Sequence, residues 1–162
     1  MFEVGEYVVY GNKGVCQIKG VGPLDMPGVS KDRIYYTMNQ VYMRGSTIFT
    51  PVDSDKLRKV LSKSEATDLI DYIRDVNPVL VNNDKERERL YNETLRNADC
   101  RELCKMIIAL HRRREQRLAD GKKATSTDER YSHAAEDILF GELGIALGIN
   151  RNEVKQYIID NI

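Results

Sequence analysis

The sequence contains no tryptophan, only two histidines and three cysteines, and no long apolar run. Its longest uninterrupted apolar stretch is five residues, Met106 to Leu110, far short of the ~20 that span a bilayer. An odd number of cysteines in a chain of 162 residues does not suit a disulfide framework. The N-terminus, MFEVGEY, carries acids where an export signal has a basic segment before an apolar one. We therefore expect a cytoplasmic location, reduced thiols and no membrane segment.

An excess of charge of either sign is also missing, because 25 basic residues balance 25 acidic ones. Indiscriminate nucleic-acid binding depends on neutralising phosphates, so zero net charge argues against it. The charges are unevenly divided: residues 1–63 hold nine basic and six acidic residues, and residues 64–162 hold 16 and 19. Any nucleic-acid surface is therefore expected to be a local patch of modest affinity.

The first 60 residues have the pattern of short β-strands. β-branched and aromatic residues recur in short runs separated by glycine-rich turns such as Gly11-Asn12-Lys13-Gly14. The predicted strands cover about residues 4–10, 15–18, 34–38 and 47–50, with a long loop over residues 20–28. Several short strands in so few residues predict a small, strongly bent sheet or SH3-like (Tudor-like) β-barrel.

From Ser62 onward the pattern is helical, and the start signals repeat. Ser, Asn or Asp is followed three residues later by Glu at residues 62, 83, 99, 126 and 150, which is the spacing of a capping box. These signals predict five helices, over about residues 64–76, 84–97, 100–120, 127–147 and 151–161. Near residue 62 the hydrophobic pattern changes from the two-residue periodicity of strands to the 3.6-residue periodicity of helices. This change predicts an α+β fold with a β domain at residues 1–61 and an all-α domain at residues 62–162.

Little in the sequence favours catalysis or metal binding. The two histidines, His111 and His133, lie in no recognisable nucleophile, metal or phosphate motif. Cys100, Cys104 and His111 share one predicted helix face, but Cys104 and His111 are separated by about 10 Å along the helix axis. One zinc ion, whose ligands lie ~2.0–2.3 Å away, does not bridge that distance. We expect core cysteines, no enzymatic activity, no metal or cofactor, and no small-molecule substrate.

The run LHRRREQR at residues 110–117 concentrates arginines on one predicted helix. On a helical wheel centred on Ile107, the apolar stripe includes Leu103, Leu110 and Leu118. Arg112 and Arg113 fall on opposite outward flanks, whereas Arg114 falls on the apolar stripe, where it would snorkel or pair with a carboxylate. Residues 101–123 hold eight basic and three acidic residues, a pattern compatible with a solvated face or with phosphate contact.

Several stretches together resemble one protein family. FEVGEYVVYGNKGVCQI and YYTMNQVYMRGSTIFTPVD resemble the N-terminal module of the CarD/CdnL family of bacterial transcription regulators, which is similar to a module of the transcription–repair coupling factor. ALHRRREQR, followed by STDERYSHAAEDILFGELGIALG, resembles the closing helices of that family. The resemblance covers about residues 2–60 and 84–148, in the family's order.

The resemblance implies a non-enzymatic protein that adds a strand to a lobe of the RNA polymerase β subunit and contacts promoter DNA at the melted region. The residues that would contact the polymerase are Thr47, Ile48, Phe49, Thr50 and Pro51, a β-prone segment that Pro51 limits. The residues that would contact DNA phosphates are Lys85, Arg87, Arg89, Arg112, Arg113, Lys122 and Lys123.

Two positions depart from the family pattern. Phe49 stands where some members use an arginine to contact the polymerase, so an apolar contact would replace it. Many members carry a tryptophan at the start of the second helix that wedges into the minor groove. This chain has Asn83 and Asp84 there and no tryptophan, so the wedge is not carried over.

Three hypotheses remain open from the sequence. The first is a transcription regulator that binds polymerase and weakly contacts DNA. The second is a polymerase-binding adaptor, or a competitor of a tryptophan-bearing paralogue, that has lost DNA contact. The third is a stand-alone nucleic-acid-binding module, which would show a steep salt dependence on naked DNA.

Overall fold

The computed structural model describes residues 1–162, which divide into two compact units, Met1–Val60 and Leu61–Ile162. The first unit is a β-sheet and the second is helical, so the predicted α+β class is confirmed. No helix is both long enough and apolar enough to span a bilayer.

The first unit is a five-stranded antiparallel sheet in the order β4-β3-β2-β1-β5. Its strands are β1 (Tyr7–Tyr10), β2 (Val15–Gly22), β3 (Tyr35–Gln40), β4 (Ile48–Pro51) and β5 (Leu57–Lys59). The backbone pairings end at β4 on one side and β5 on the other, so these two strands are the edges of the sheet.

The core of the sheet unit follows from the alternation of side chains along its strands. Val8, Cys16, Ile18, Tyr36 and Met38 lie on one face and are all fully buried. Gly14, with φ of +73°, closes the turn between β1 and β2 in a conformation that favours glycine.

The sequence prediction was wrong about two parts of this sheet. β2 continues to Gly22, across residues assigned to a loop, because a register shift between Ile18 and Gly20 lets the strand bend without ending. β5 was not predicted, because three residues with two charges show no alternation to recognise. It is nevertheless a strand because it pairs with β1.

The second unit contains the five predicted helices. They are α1 (Lys63–Asp75), α2 (Asp84–Asn97), α3 (Cys100–Ala119), α4 (Ser126–Leu147) and α5 (Val154–Asn161). A 3-10 turn at Arg151–Glu153 precedes α5, where the sequence predicted regular helix. Buried residues of α1, α3, α4 and α5, among them Leu69, Leu103, Leu143 and Val154, form the core.

The capping residues explain where the helices begin. The side chains of Ser62, Asn83 and Asp99 each accept a hydrogen bond from the backbone N–H three residues on, as the capping-box spacing predicted. The cap of α4 is Thr125, one residue earlier than predicted, and it accepts from the Asp128 N–H at 3.0 Å.

Candidate functional site

The open edge of β4 presents backbone groups that have no partner in the sheet. The Val52 N–H donates to the Ile34 carbonyl at 3.1 Å. With the register of β3 and β4, this bond shows which residues of β4 are hydrogen-bonded to β3. Because antiparallel partners alternate, the N–H and C=O groups of Ile48 and Thr50 point towards β3. Those of Phe49 point away from the sheet. This edge can therefore pair with an added strand.

The side chains of β4 are uncharged and divide between the two faces of the sheet. Ile48 packs against the core and Thr50 is buried, whereas Phe49 is 42% exposed. Sheet edges that avoid pairing usually carry charges, and β4 carries none. Pro51 ends the strand and offers only a carbonyl, so the pairing segment is short.

The turn between β3 and β4 adds an apolar feature that the sequence interpretation missed. Val41 and Met43 are exposed there, Met43 to 58%, beside the exposed Arg44. Ser46 holds the turn, because its hydroxyl accepts from the Gln40 N–H at 3.1 Å and donates to the Met43 carbonyl at 3.0 Å. In the sequence, the three apolar residues Val-Tyr-Met directly before Arg-Gly could have indicated this exposed apolar turn.

Two of the arginines assigned to DNA are engaged within the fold. Arg87 is only 8% exposed and donates to Asp84 at 2.6 Å and to the Val81 carbonyl at 3.1 Å. Arg113 donates to the buried Asp128 at 2.7 Å. Each guanidinium already faces an acceptor, so the geometry does not favour either as a phosphate contact.

The Arg113–Asp128 pair lies in a partly polar region between α2, α3 and α4. Tyr91 and Tyr131 pack with ring centroids 5.2 Å apart, and the Tyr131 hydroxyl donates to Asn92 at 3.1 Å. Burial, and then the negative charge of Asp128, raise the pKa of the Tyr91 hydroxyl.

Arg89 and Arg112 are more accessible but also have partners. Arg89 donates to Glu86 at 2.6 and 3.1 Å and to Glu93 at 3.1 Å. The hydrogen bond with Glu86 is the main reason that the pKa of Arg89 is raised and that of Glu86 lowered. Arg112 donates to the Asn77 side chain.

The lysines of the predicted set are the accessible cations. Lys85, Lys122 and Lys123 are exposed, and none forms an ion pair with a carboxylate. Lys122 and Lys123 follow Gly121 in the turn after α3. The Arg117 side chain braces this turn by donating to the Lys123 carbonyl at 2.9 Å.

The helical-wheel placement of Arg113 on α3 was wrong. Arg113, predicted to face outward, is tied to Asp128, whereas Arg114, predicted to snorkel from the apolar stripe or to pair with a carboxylate, is exposed. Leu118, assigned to the buried stripe, is 55% exposed because the last turns of α3 extend beyond the apolar core. The accessible cations of this region are therefore Arg114, Lys122 and Lys123.

All three cysteines are buried, and none forms a disulfide. The Cys100 thiol donates to the buried Glu142 carboxylate at 3.2 Å, and His111 lies 3.1 Å from Glu115 at the surface. The structure brings no three histidine, cysteine, aspartate or glutamate side chains into a metal-binding group. Burial raises the pKa of Cys16 to about 11 and that of Cys104 to about 12.

These raised pKa values predict low thiol reactivity in the folded protein. At pH 8 we expect Cys16 to react with a disulfide reagent at least roughly a hundredfold more slowly than in the unfolded chain, because the thiolate is the nucleophile. The protonated thiols also favour folding: this contribution is complete below pH 9 and is lost as the pH rises towards 11–12. Timed thiol titration with and without denaturant measures the first effect, and rapid native reaction at all three cysteines would contradict it.

Comparison with known proteins bears on the sheet unit. Residues 2–63 match the family model described as the CarD-like/TRCF RID domain. No curated protein sequence matches the chain. The matched range includes all five strands and ends at the start of α1. The sheet unit is therefore similar to the CarD-like/TRCF RID domain, a similarity that indicates an RNA polymerase-interacting, transcription-related role for residues 2–63.

Proposed function

We propose that this protein regulates transcription at promoter open complexes by adding its strand β4 to the β subunit of bacterial RNA polymerase. The observation that carries the proposal is the open edge of β4, where the backbone N–H and C=O of Phe49 face outward on a strand without charges. Strand addition uses such backbone groups for affinity and the alternate side chains for specificity.

The side chains around this edge fit a partner strand of defined chemistry. Phe49 offers an apolar contact, and Thr47 and Pro51 flank it at the two ends of the pairing segment. Residues 1–63 carry nine basic and six acidic residues, which suits a partner surface with acidic character. A partner of this kind implies a cytoplasmic location.

We further propose weak, sequence-independent contact with promoter DNA through the helical unit. Lys85, Lys122 and Lys123 support this, because they are exposed and have no carboxylate partner, and Arg114 joins them as an exposed cation. A few unpaired cations on a chain of zero net charge correspond to few phosphate contacts, and hence to modest affinity.

The lifetime of promoter open complexes tests the regulatory function. At a protein concentration that saturates polymerase, we expect the open complex to dissociate at a changed rate, because the protein holds both the polymerase and the DNA. Polymerase binding is measured separately, by retention of the β subunit on the immobilised protein. Binding without any change in lifetime would contradict the proposed regulation and favour the alternative.

That alternative is a polymerase-binding adaptor, or a competitor of a tryptophan-bearing paralogue. Two observations favour it: Arg87, Arg89 and Arg113 are all engaged by carboxylates, and the chain has no tryptophan. The adaptor would occupy the β subunit through β4 and leave the duplex untouched. A stand-alone nucleic-acid binder, in contrast, would bind naked DNA with a steep salt dependence and would not retain the β subunit.

Replacing Lys122 and Lys123 by methionine is expected to weaken DNA contact without changing polymerase binding. Each phosphate contact contributes about −0.9 to the slope of log K against log salt, so the double variant should reduce the slope by about 1.8. Fluorescence anisotropy of a promoter duplex across a salt series measures this slope. The matched control is Arg87→Met, which removes a buried, paired cation and should leave the slope unchanged. An unchanged slope for the lysine variant would contradict the assignment.

A further inference from the structure

An apolar groove of about 790 Å³ opens on the helical unit, and Arg114, named above as an exposed cation, is among the residues that line it. Side chains of α1, α3, α4 and α5 line it, all within the unit Leu61–Ile162. Its apolar residues include Ile73, Ile107, Phe140 and Ile159, and Ile159 is 54% exposed. Ile162 is 53% exposed as well, and the other three are half-buried. Exposed apolar surface of this kind marks an interaction site.

The residues that line the groove recur at helical spacing on three of its four helices. On α5 they are Lys155, Ile158 and Ile159, at positions i, i+3 and i+4, and Ile162 directly after the helix is at i+7. On α3 they include Cys104, Ile107, Ile108 and His111, which have the same spacing. On α4 they extend from Asp128 to Phe140, a length of about 18 Å at 1.5 Å per residue. Three such stripes around one trough are the surroundings that a further helix has in a bundle.

The charges at the groove come in two separate sets. The positive side chains without a carboxylate partner are Arg112 and Arg114 on α3 and Lys155 on α5. Arg74 on α1 and Glu115 on α3 also line the groove, but Arg74 pairs with Asp71 at 3.3 Å and Glu115 lies 3.1 Å from His111. The negative side chains Glu129 and Glu136 belong to α4, where they lie about 10 Å apart along the helix axis. Asp128 also lines the groove, but Arg113 neutralises it. The groove is therefore apolar inside, and its charges without an oppositely charged partner in the unit form an acidic row on α4 and basic groups on α3 and α5.

We propose that this groove binds an amphipathic helix of a second protein. Its apolar stripe would pack on the isoleucines and Phe140, one flank would present acids to Arg112, Arg114 and Lys155, and the other would present bases to Glu129 and Glu136. A helix fits better than a compact ligand, because the lining residues extend along about three helical turns of α4. The acidic groups on one side of the groove and the basic groups on the other would select the partner helix, much as flanking charges select partners in coiled coils.

Designed peptides test this inference on the full chain. Three labelled 21-residue helical peptides share one leucine stripe: the first has Glu on one flank and Lys on the other, the second Glu on both flanks, and the third Lys on both. We expect the two-signed peptide to bind roughly tenfold more tightly than either of the others, because only it complements both sets of charges. Amide chemical shifts should change at α3, α4 and α5.

A change of groove charge separates this proposal from unspecific apolar adhesion. The double variant Glu129→Lys with Glu136→Lys reverses the charge of the acidic row on α4, and the preference should move to the peptide with Glu on both flanks. The control Asp137→Lys changes an exposed acid on the same helix outside the groove and should preserve the original preference. Equal binding of all three peptides, an unchanged preference in the double variant, or self-association of the chain through these residues would each overturn the proposal.

Discussion

Replacement of Phe49 by proline is expected to reduce the affinity for the polymerase β subunit by at least about tenfold while leaving the sheet folded. Proline removes the one N–H in the middle of β4 that points to the open edge, and its ring occupies the place of an added strand. The β3–β4 ladder uses the groups of Ile48, Thr50 and Val52 instead, so it retains its hydrogen bonds. Retention of the β subunit, measured quantitatively, gives the affinity.

Two further variants at the same position separate the backbone from the side chain. Phe49→Val keeps the N–H and the preference for a strand, so it should retain binding within a few-fold. Phe49→Asp keeps the N–H but places a charge on the pairing segment, so it should weaken binding. Circular dichroism and thermal unfolding establish that each variant is folded. Unchanged retention by folded Phe49→Pro and Phe49→Asp variants would exclude β4 as the binding strand.

The helices could be predicted closely because their start signals are local. Ser62, Asn83 and Asp99 each accept the N–H of a glutamate three residues on, so residue type and spacing were sufficient. β5 could not be found in this way, because it becomes a strand only by pairing with β1, nearly 50 residues earlier in the chain. Its own sequence, Leu-Arg-Lys, has no strand pattern.

The candidate surfaces could likewise be predicted only where they depend on local sequence, and not where they depend on contacts between distant residues. The edge strand was visible as an uncharged β-prone segment ending at Pro51, although the sequence did not show that β4 would lie at the edge. A helical wheel describes one helix alone, and so it placed Arg113 outward. The carboxylate that engages Arg113 lies 15 residues later, on the first turn of α4, where only the packing of α3 against α4 brings it close.

Truncation of Arg113 or of Asp128 to alanine is expected to lower the free energy of unfolding by about 2–4 kcal/mol, since each change leaves a largely buried charge without its partner. The side chains are only 28% and 12% exposed, so solvent screens the pair weakly. The double variant Arg113→Met with Asp128→Leu should recover most of the loss, because it removes both charges and retains apolar volume.

Urea unfolding followed by circular dichroism at 222 nm measures this effect, since all five helices lie in the unit that contains the pair. The matched control is Arg114→Ala, which removes a neighbouring exposed arginine and should change stability by less than about 0.5 kcal/mol. If Arg113→Ala instead left stability unchanged and lowered the affinity for promoter DNA, the arginine would serve the nucleic acid, as the sequence alone predicted. A loss of stability with unchanged DNA affinity would show that Arg113 stabilises the fold, and would leave Arg114 and the lysines after α3 as the phosphate contacts.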